Sequence, residues 1–244
     1  MESTIILRRS RAGIGLAALL GMALAALAAP GQAPGESAVI QSIDRAVMAR
    51  IDGIAGYTVT EHYAVFRNQD ENHPVAEMTV RTTYRKATGK SYAILSESGS
   101  SVIRKFVLNT ILENEKRINE PGIREGSWIV SANYEMKLKQ AATVRIDGRD
   151  CYVLSITPNR KAPYLLEGTI WVDAGDGNIV RIEGESSKSP SVFTGPTQMS
   201  RQYTNIDGFA EATHARAESN SSLFGKTVVK IDYSGYRIEL AQSR

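Results

Sequence analysis

The side chains best suited to acid–base or metal chemistry are scarce and scattered in this sequence. The three histidines are His62, His73 and His214, and the one cysteine is Cys151. A single cysteine excludes an intramolecular disulfide and a cysteine-cluster metal site. We expect Cys151 to be a buried, small apolar residue. The histidines lie far apart in strand-like and loop-like segments, so we predict neither a metal site nor a catalytic histidine.

Two acidic patterns have structural rather than chemical explanations. The segment Asp173–Asn178 resembles the start of a calcium loop, but Gly175 and Gly177 occupy the third and fifth positions, where oxygen ligands are needed. This composition predicts a tight hairpin turn. Glu113 and Glu115 are two residues apart on a predicted helix and do not face each other, which indicates a solvated helix face. The sequence also lacks a nucleophile elbow and a phosphate-binding glycine loop, so we predict neither an enzyme nor a bound cofactor.

The amino terminus has the pattern of an export signal. Arg8, Arg9 and Arg11 precede the nearly uncharged, apolar segment 12–27, and Ala26-Leu27-Ala28 supplies small residues for signal peptidase. We therefore predict a signal peptide over 1–28, cleaved near Ala28, which would leave the mature protein in the periplasm. An uncleaved membrane anchor is the alternative to a cleaved signal peptide. The twin-arginine route is the alternative to export by the general secretory route.

The net charge of the chain limits the classes of partner that it can bind. The formal net charge of the whole chain is +3. Loss of residues 1–28 removes three arginines and one glutamate, so the mature chain carries +1. A nearly neutral domain lacks the broad positive field that binds a phosphate backbone, and we do not expect a nucleic-acid partner.

The mature chain has the periodicities of two helices and many strands. After a linker over 29–36, apolar residues recur every three or four positions from Val39 to Ile51, and again over 101–118. Ser100 or Ser101 is a plausible N-cap of the second helix, which Pro121-Gly122 follows. Alternation predicts strands at 57–66, 76–86, 90–97, 128–139, 142–147, 150–157, 167–173, 178–186, 198–206, 209–219 and 226–238.

Short turns join most of these strands, so successive strands must be antiparallel neighbours. The fold class is therefore mainly β, with one large curved antiparallel sheet and two helical covers in a single domain over 37–240. A sheet of ten or eleven strands tends to curl, which predicts a barrel or an unclosed barrel. Apolar groups occur on both strand faces, which suggests a sheet covered on both sides or one that lines an apolar cavity.

Large apolar side chains on nearly every strand suggest a binding cavity between a concave sheet and the helices. The alternative is an ordinary hydrophobic core. Helix 101–118 interrupts a run of strands, so we predict that it is a movable lid with Val102, Phe106 and Ile111 facing the interior. The candidate ligand-binding residues are Tyr63, Val65, Phe106, Ile111, Met136, Leu138, Leu154, Ile156, Trp171 and Ile182.

The carboxyl-terminal half resembles the lipoprotein-sorting superfamily that includes LolA, LolB and the sigma-factor regulator RseB. The resemblance rests on the order and spacing of several short segments, which are Tyr152–Pro158, Gly168–Asp173, Ile179–Arg181, Tyr203, Asp207–Phe209 and Ile231–Tyr236. It covers the region from Tyr134 to Tyr236, whereas the amino-terminal half agrees in element order.

This resemblance implies a LolA-like unclosed barrel that is lidded by helices and holds acyl chains of lipids or lipoproteins without catalysis. We therefore expect a periplasmic carrier for envelope lipoprotein sorting, with a membrane-protein donor or acceptor as a further candidate partner. The absence of a cysteine near the cleavage point favours a soluble, LolA-like member. The alternative is an envelope sensor or regulatory module of the RseB type that binds a protein.

Overall fold

The computed structural model describes residues 34–189, 196–221 and 225–242. The predicted signal peptide over 1–28 and most of the predicted linker over 29–36 therefore lie outside the described residues. Within the described ranges, no helix is both long enough and apolar enough to cross a membrane.

Helix α1 (Glu36–Gly53) begins immediately after Pro34-Gly35 and packs one face on the sheet. Val39 and Ile43 occupy that face at a four-residue spacing and are buried, whereas Arg45 and Met48 are exposed. This amphipathic pattern is the one that the sequence predicts.

Eleven strands form one antiparallel sheet. Apolar and polar residues alternate along much of the sheet, and hairpins such as Asp147-Gly148 and Asp207-Gly208 use positive φ angles that tight turns require. The strands are β1 (Ile54–Arg67), β2 (Ala76–Arg85), β3 (Gly89–Gly99), β4 (Tyr134–Leu138), β5 (Val144–Ile146), β6 (Arg149–Pro158), β7 (Leu166–Asp173), β8 (Ile179–Ser186), β9 (Gln198–Ile206), β10 (Phe209–Ser221) and β11 (Gly225–Leu240).

The sheet is an unclosed barrel whose two edges come from strands that are consecutive in the chain. The strand order is β3-β2-β1-β11-β10-β9-β8-β7-β6-β4, and β5 also pairs with β6. The first and last strands, β1 and β11, pair in the middle, while β3 and β4 lie at opposite edges. The predicted fold class is thus confirmed, and the opening of the barrel falls between β3 and β4.

The chain between these two edges forms a composite helix over residues 101–118. It consists of α2 (Ser101–Ile103), a π-helical segment (Arg104–Leu108) and α3 (Asn109–Ile118). Ser100 is the N-cap, since its side-chain oxygen accepts a hydrogen bond from the Ile103 N–H. Gly99, just before it, has a φ of +73°, and an added Cβ would lie 2.4 Å from the Val75 carbonyl oxygen. Glycine is therefore required where β3 turns into this helix.

The region that precedes β4 differs from the prediction. Strand 128–139 was expected, but only Tyr134–Leu138 is extended, because residues 128–133 form turns. The Asn133 side-chain amide donates to the carbonyls of Glu125 and Trp128, and the Ser131 N–H donates to Asp44 on α1. These side-chain hydrogen bonds replace the strand pairing that alternation alone predicts.

The two helical pieces cover different halves of the same sheet face, which we call the inner face. Helix α1 packs with β4 and β6–β8 in a first core that includes Ile43 and Leu154. The composite helix packs with β1 and β2 in a second core that includes Leu108 and Met78. The molecule therefore has two apolar cores beneath two separate helical covers.

Candidate functional site

The inner face carries an apolar row that crosses the sheet from edge to edge. Hydrogen-bonded register places one residue from each of ten strands on this row, and none of them is polar. We call it the apolar row, and its members in spatial order are Met136, Ile156, Gly168, Gly184, Met199, Ala217, Val229, Val65, Ala76 and Gly99.

The next row on the same face is also apolar, apart from a cation near its centre and an acid at the β3 edge. We call it the second row, and it consists of Leu138, Leu154, Ile170, Ile182, Arg201, Ala215, Ile231, Tyr63, Met78 and Glu97. Arg201 is therefore held among aliphatic neighbours on the inner face.

The opposite, outer face has a different chemistry. Along each strand, one residue separates the members of the two inner rows and points to the outer face. These intervening residues are almost entirely polar, and they are Lys137, Ser155, Thr169, Glu183, Ser200, Arg216, Lys230, Ala64, Glu77 and Ser98. Such alternation is typical of an antiparallel sheet with one covered and one solvated face. It corrects the expectation of two apolar faces, although Phe66 and Val228 form a small outer cluster near Lys230.

The apolar row has its smallest side chains between the two helical covers. Gly168 and Gly184 are direct neighbours on β7 and β8, and a Cβ on either would lie 2.1 to 2.2 Å from a backbone oxygen of the adjoining strand. Glycine is needed for this close approach. Met199, the next residue along the row, is 37% exposed. An uncovered apolar strip thus lies between the covers.

Most of the candidate residues from the sequence lie on the inner face. Val65, Met136 and Ile156 belong to the apolar row, and the remaining inner-face candidates fall in the second row or on the composite helix. The second row contains Tyr63, Leu138, Leu154 and Ile182, and Ile111 packs against the second core from the helix. The residues are divided between the two cores, so they do not line one common cavity in this conformation.

Trp171 is on the wrong face for the predicted role. It pairs with Val153 and Arg181, and the Arg181 guanidinium lies 5.4 Å above its ring on the outer face. A register irregularity at Trp171/Val172 accompanies this placement. The bulk of the side chain suggested burial, but a cation–π contact accommodates the ring at the surface instead.

Phe106 and Val102 are also misplaced by the sequence prediction. Phe106 is 55% exposed, and Val102, one helical turn earlier, is exposed on the same solvent-facing side of the helix. Ile103, Leu108 and Leu112 are the buried residues of the composite helix. Val102 and Phe106 are four residues apart and share the exposed side, and the π-helical segment shifts the next fully buried position after Ile103 from Val107 to Leu108. The prediction that Phe106 and Val102 face the interior is therefore wrong for this conformation.

A cluster of charged and aromatic side chains lies on the inner face at the carboxyl end of the composite helix. Glu115 on α3 accepts a 2.8 Å hydrogen bond from the Lys90 ammonium, and its other oxygen lies 4.0 Å from the Arg201 guanidinium. Lys90 comes from β3 and Arg201 from β9, with four strands between them in the sheet. One carboxylate can meet both cations because the sheet curls, and the composite helix thus links opposite sides of the barrel.

The pKa values in this cluster reflect mutual stabilisation of the charges. Attraction to Lys90 lowers the pKa of Glu115 to about 2, against the opposing effect of burial. Burial disfavours the charged form of Lys90, but attraction to Glu115 prevails and raises the pKa of Lys90 above its usual value. Both groups are therefore charged at neutral pH.

Further polar groups are buried beside this ion pair. Glu61 on β1 is 2% exposed and accepts a hydrogen bond from the Tyr63 hydroxyl. Burial, followed by the Glu61 charge, raises the pKa of Tyr63, so the hydroxyl remains a donor. The hydroxyls of Thr82 and Tyr92 are buried without a hydrogen-bond partner among the described residues. Both hydroxyls are therefore available to a further polar group.

Lys90, Glu115 and Arg201 were not identified as site residues from the sequence. Glu115 was expected on a solvated helix face, but its side chain is 28% exposed and ion-paired. The sequence signal for Lys90 and Arg201 is their position in the strand alternation. Lys90 lies on the same strand face as Tyr92 and Ile94, and Arg201 lies on the same face as Met199 and Tyr203. A charge that stands in the apolar phase of a strand indicates an interior role.

Residues with catalytic potential occupy separate positions, and the described part of the chain contains no group of three metal-ligating side chains. His214 pairs with Asp232 at 2.7 Å on the outer face, and His73 pairs with Asp70 at 3.0 Å in a loop. Cys151 is buried as predicted, and burial raises its pKa to about 11. The segment 173–178 forms the predicted turn, with the Asp173 carboxylate accepting from the Gly175 N–H.

Two surface cavities of the described residues are lined mainly by charged and polar residues. One of about 310 Å³ is lined by Glu113, Asn114, Lys116, Arg117 and Glu120 on the composite helix and the turn that follows it. Another of about 230 Å³ lies on the outer face between Ser200, His214 and Lys230. Neither lies over the apolar row.

Comparison with known proteins gives matches to solved structures alone. No family model matches the chain, and no curated protein matches it. A LolA superfamily protein from Nitrosomonas europaea is 14% identical with a TM-score of 0.42, over 83% of this chain and 93% of that one. A DUF1329 family protein from Desulfovibrio piger is 16% identical with a TM-score of 0.43, over 85% and 94%.

A third similar structure is a Vibrio parahaemolyticus domain whose name refers to outer membrane lipoprotein sorting. It is 13% identical with a TM-score of 0.43, over 81% of this chain and 91% of that domain. The superfamily that the sequence resembles is thus represented among the solved structures to which this chain is similar.

Proposed function

We propose that this protein is an exported carrier that shields the acyl chains of a lipid or lipoprotein on the inner face of its sheet. The observation that carries the proposal is the apolar row, which crosses ten strands without a polar side chain. Adjacent strands are about 4.8 Å apart, so the row extends for roughly 40 Å and exceeds what one helix needs for packing.

The covers of this row support a binding role. In the closed protein, side chains of α1 and the composite helix occupy its two ends, and only the strip near Gly184 and Met199 lies between them. A chain of methylene groups makes the same kind of contact as the buried helix side chains. It can therefore replace them at little cost if a cover moves away.

The composite helix is the cover that we expect to move. It connects the two edges of the sheet, so its displacement opens the barrel without breaking any strand pair. It also contains a π-helical segment, a feature that is often found at functional sites. Movement of this lid remains a prediction of the proposal, as does export to the periplasm.

Two neighbouring substitutions test the proposal. Met199→Glu places a charge on the apolar row at an exposed position, where it should not prevent folding. Ser200→Glu adds the same charge on the outer face. We expect Met199→Glu to weaken binding of a fluorescent fatty acid at least tenfold and Ser200→Glu to leave binding unchanged, with thermal melts as the folding control.

Native mass spectrometry of the mature protein, purified from the cell envelope, supplies the ligand itself. A bound acyl-containing species is the expected result. Absence of bound lipid, together with fatty-acid affinity that neither substitution alters, would contradict the carrier role. Capture of one stoichiometric membrane protein without lipid would instead support the regulatory alternative.

A further inference from the structure

The Lys90–Glu115–Arg201 cluster has an arrangement that a purely structural ion pair does not require. Two cations from strands on opposite sides of the barrel share one carboxylate, and that carboxylate belongs to the cover rather than to the sheet. When the composite helix moves, the carboxylate leaves and the cations stay.

The contact with Arg201 is also incomplete. At 4.0 Å, the Glu115 oxygen is beyond hydrogen-bond distance from the guanidinium, although Tyr203 hydrogen-bonds with Arg201 from the same strand. A guanidinium binds planar or tetrahedral anions most strongly through two parallel N–H donors. Glu115 does not use this capacity, so a better-placed anion would bind Arg201 more strongly than Glu115 does.

The charge balance around the cluster favours an incoming anion. Glu61 is the other acid that faces Lys90 from the inner face, and its effect on Lys90 is weaker than that of Glu115. With Glu115 removed, Lys90, Arg201 and Glu61 together carry one net positive charge. The hydroxyls of Thr82 and Tyr92, which have no partners among the described residues, are additional donors on the same face.

Arg201 also adjoins the apolar row. It follows Met199 by two residues on β9, so both side chains are on the inner face about 7 Å apart along the strand. A chain that occupies one half of the apolar row, from either edge of the sheet to Met199, would therefore place its head group beside the guanidinium.

We propose that Lys90 and Arg201 bind the anionic head group, a carboxylate or a phosphate, of a lipid whose acyl chain lies on the apolar row, and that Glu115 occupies this site in the closed protein. The inference rests on the proposed carrier function and narrows its ligand. A free anionic lipid fits the site, whereas the uncharged diacylglyceryl group of a lipoprotein leaves both cations unpaired.

The test compares three ligands with the same acyl chain on the full mature protein. Palmitate presents a carboxylate, palmitoyl lysophosphatidic acid presents a phosphate, and monopalmitoylglycerol is neutral. Dissociation constants come from displacement of a neutral fluorescent probe. We expect the wild-type protein to bind at least one of the two anionic lipids tenfold or more tightly than the neutral lipid, and the tighter anion identifies the head-group class.

Variants then locate the preference. Arg201→Gln should abolish the difference between anionic and neutral lipids and leave the affinity for monopalmitoylglycerol unchanged. Glu115→Gln should increase affinity for the anionic lipid more than for the neutral one, because it removes a competing carboxylate. Arg181→Gln, which changes an outer-face arginine on the adjoining strand, is the matched control and should preserve the preference. Lys90→Met repeats the test if Arg201→Gln does not fold.

Each failure has a distinct meaning. Equal wild-type affinity for all three lipids, or equal weakening of all three by Arg201→Gln, overturns the head-group site and leaves the carrier function standing. Absence of binding by every lipid, including the neutral one, overturns both.

Discussion

The two helical covers pack on the same sheet face, but they are attached to it in different ways. Helix α1 is tied along its length: Glu36 accepts from the Leu138 N–H at 2.8 Å, Asp44 accepts from Ser131, and Arg50 forms two 2.9 Å hydrogen bonds with Glu211. These contacts reach β4, the segment that precedes it, and β10.

The polar contacts of the composite helix lie mainly near its two ends, whereas Leu108 and Leu112 between them pack in the second core. Near its start, Arg104 pairs with Glu97 and donates to the Gly99 carbonyl, both in the strand that leads into the helix. Near its end, Glu115 joins Lys90 and Arg201. We therefore expect α1 to stay on the sheet and the composite helix to be the cover that moves, released at one end and pivoting at the other.

The largest predicted effect tests the permanence of α1. Arg50→Met leaves the Glu211 carboxylate, which is 3% exposed, without its cation. Removing one partner of a buried pair costs about 3–5 kcal/mol, and we expect a loss near the lower end because Arg50 is partly exposed. Urea unfolding measures it, with exposed Arg45→Met on the same helix as the control. Equal stability of both variants would show that α1 is not anchored by this pair.

A slightly smaller effect is expected from the packing of the composite helix. Leu108 is 0% exposed in the second core, so Leu108→Ala should reduce the free energy of unfolding by about 2–3 kcal/mol through lost contacts and a cavity. If the composite helix opens as a unit, hydrogen exchange in residues 101–118 should accelerate in this variant, with α1 unchanged. Uniform acceleration in both helices would remove the distinction between them.

The ion pair at the end of the composite helix should give a pH-dependent effect. The pKa of Glu115 is lowered from 4.5 to about 2, so its charged form stabilises the native protein above the unfolded-state pKa. That stabilisation should be present at neutral pH and be lost as the pH falls from about 4.5 towards 2, and it amounts to about 2–3 kcal/mol.

Glu115→Gln isolates this contribution from other acids that titrate in the same range, such as Glu71. The stability difference between wild type and variant should be largest at pH 7 and shrink towards pH 2. A difference that stays constant with pH would show that the Glu115 charge does not hold the composite helix closed.

The smallest predicted effect concerns Phe106. Because its ring is largely exposed, Phe106→Ala should change the free energy of unfolding by less than about 0.5 kcal/mol. The sequence-based prediction that Phe106 contributes to acyl-chain binding is tested by the same variant in lipid titrations. Weakened binding with unchanged stability would support a ligand contact in the open protein, and unchanged binding would exclude one.

Alternation of residue type was sufficient to predict most strands and the unclosed antiparallel sheet. The strand period and turn residues such as Asp207-Gly208 act locally, so the sequence alone is sufficient to predict them. The inner location of Tyr63, Val65 and Leu154 followed from the same alternation. Such positions are determined by burial of an apolar face, which is the strongest force that shapes a strand.

Other placements depended on geometry that does not repeat. Phe106 was misplaced because a π-helical segment shifts the buried helical positions. Trp171 was misplaced because its bulk suggested burial, although it alternates with Ile170 and Val172, which are buried on the inner face. The meeting of Lys90, Glu115 and Arg201 requires the curvature of the whole sheet. No local pattern specifies which residues approach across the barrel.

The opening of the barrel between β3 and β4 has a consequence for self-association. Any opening of the composite helix exposes more of β3, an edge strand that already carries exposed Ile94 and Leu95. Unprotected edges recruit strands from other molecules. Here β3 has a register irregularity around Leu95, and β4 at the other edge is only five residues long. These features limit strand addition, so we expect the edges to resist aggregation even if the composite helix opens as proposed.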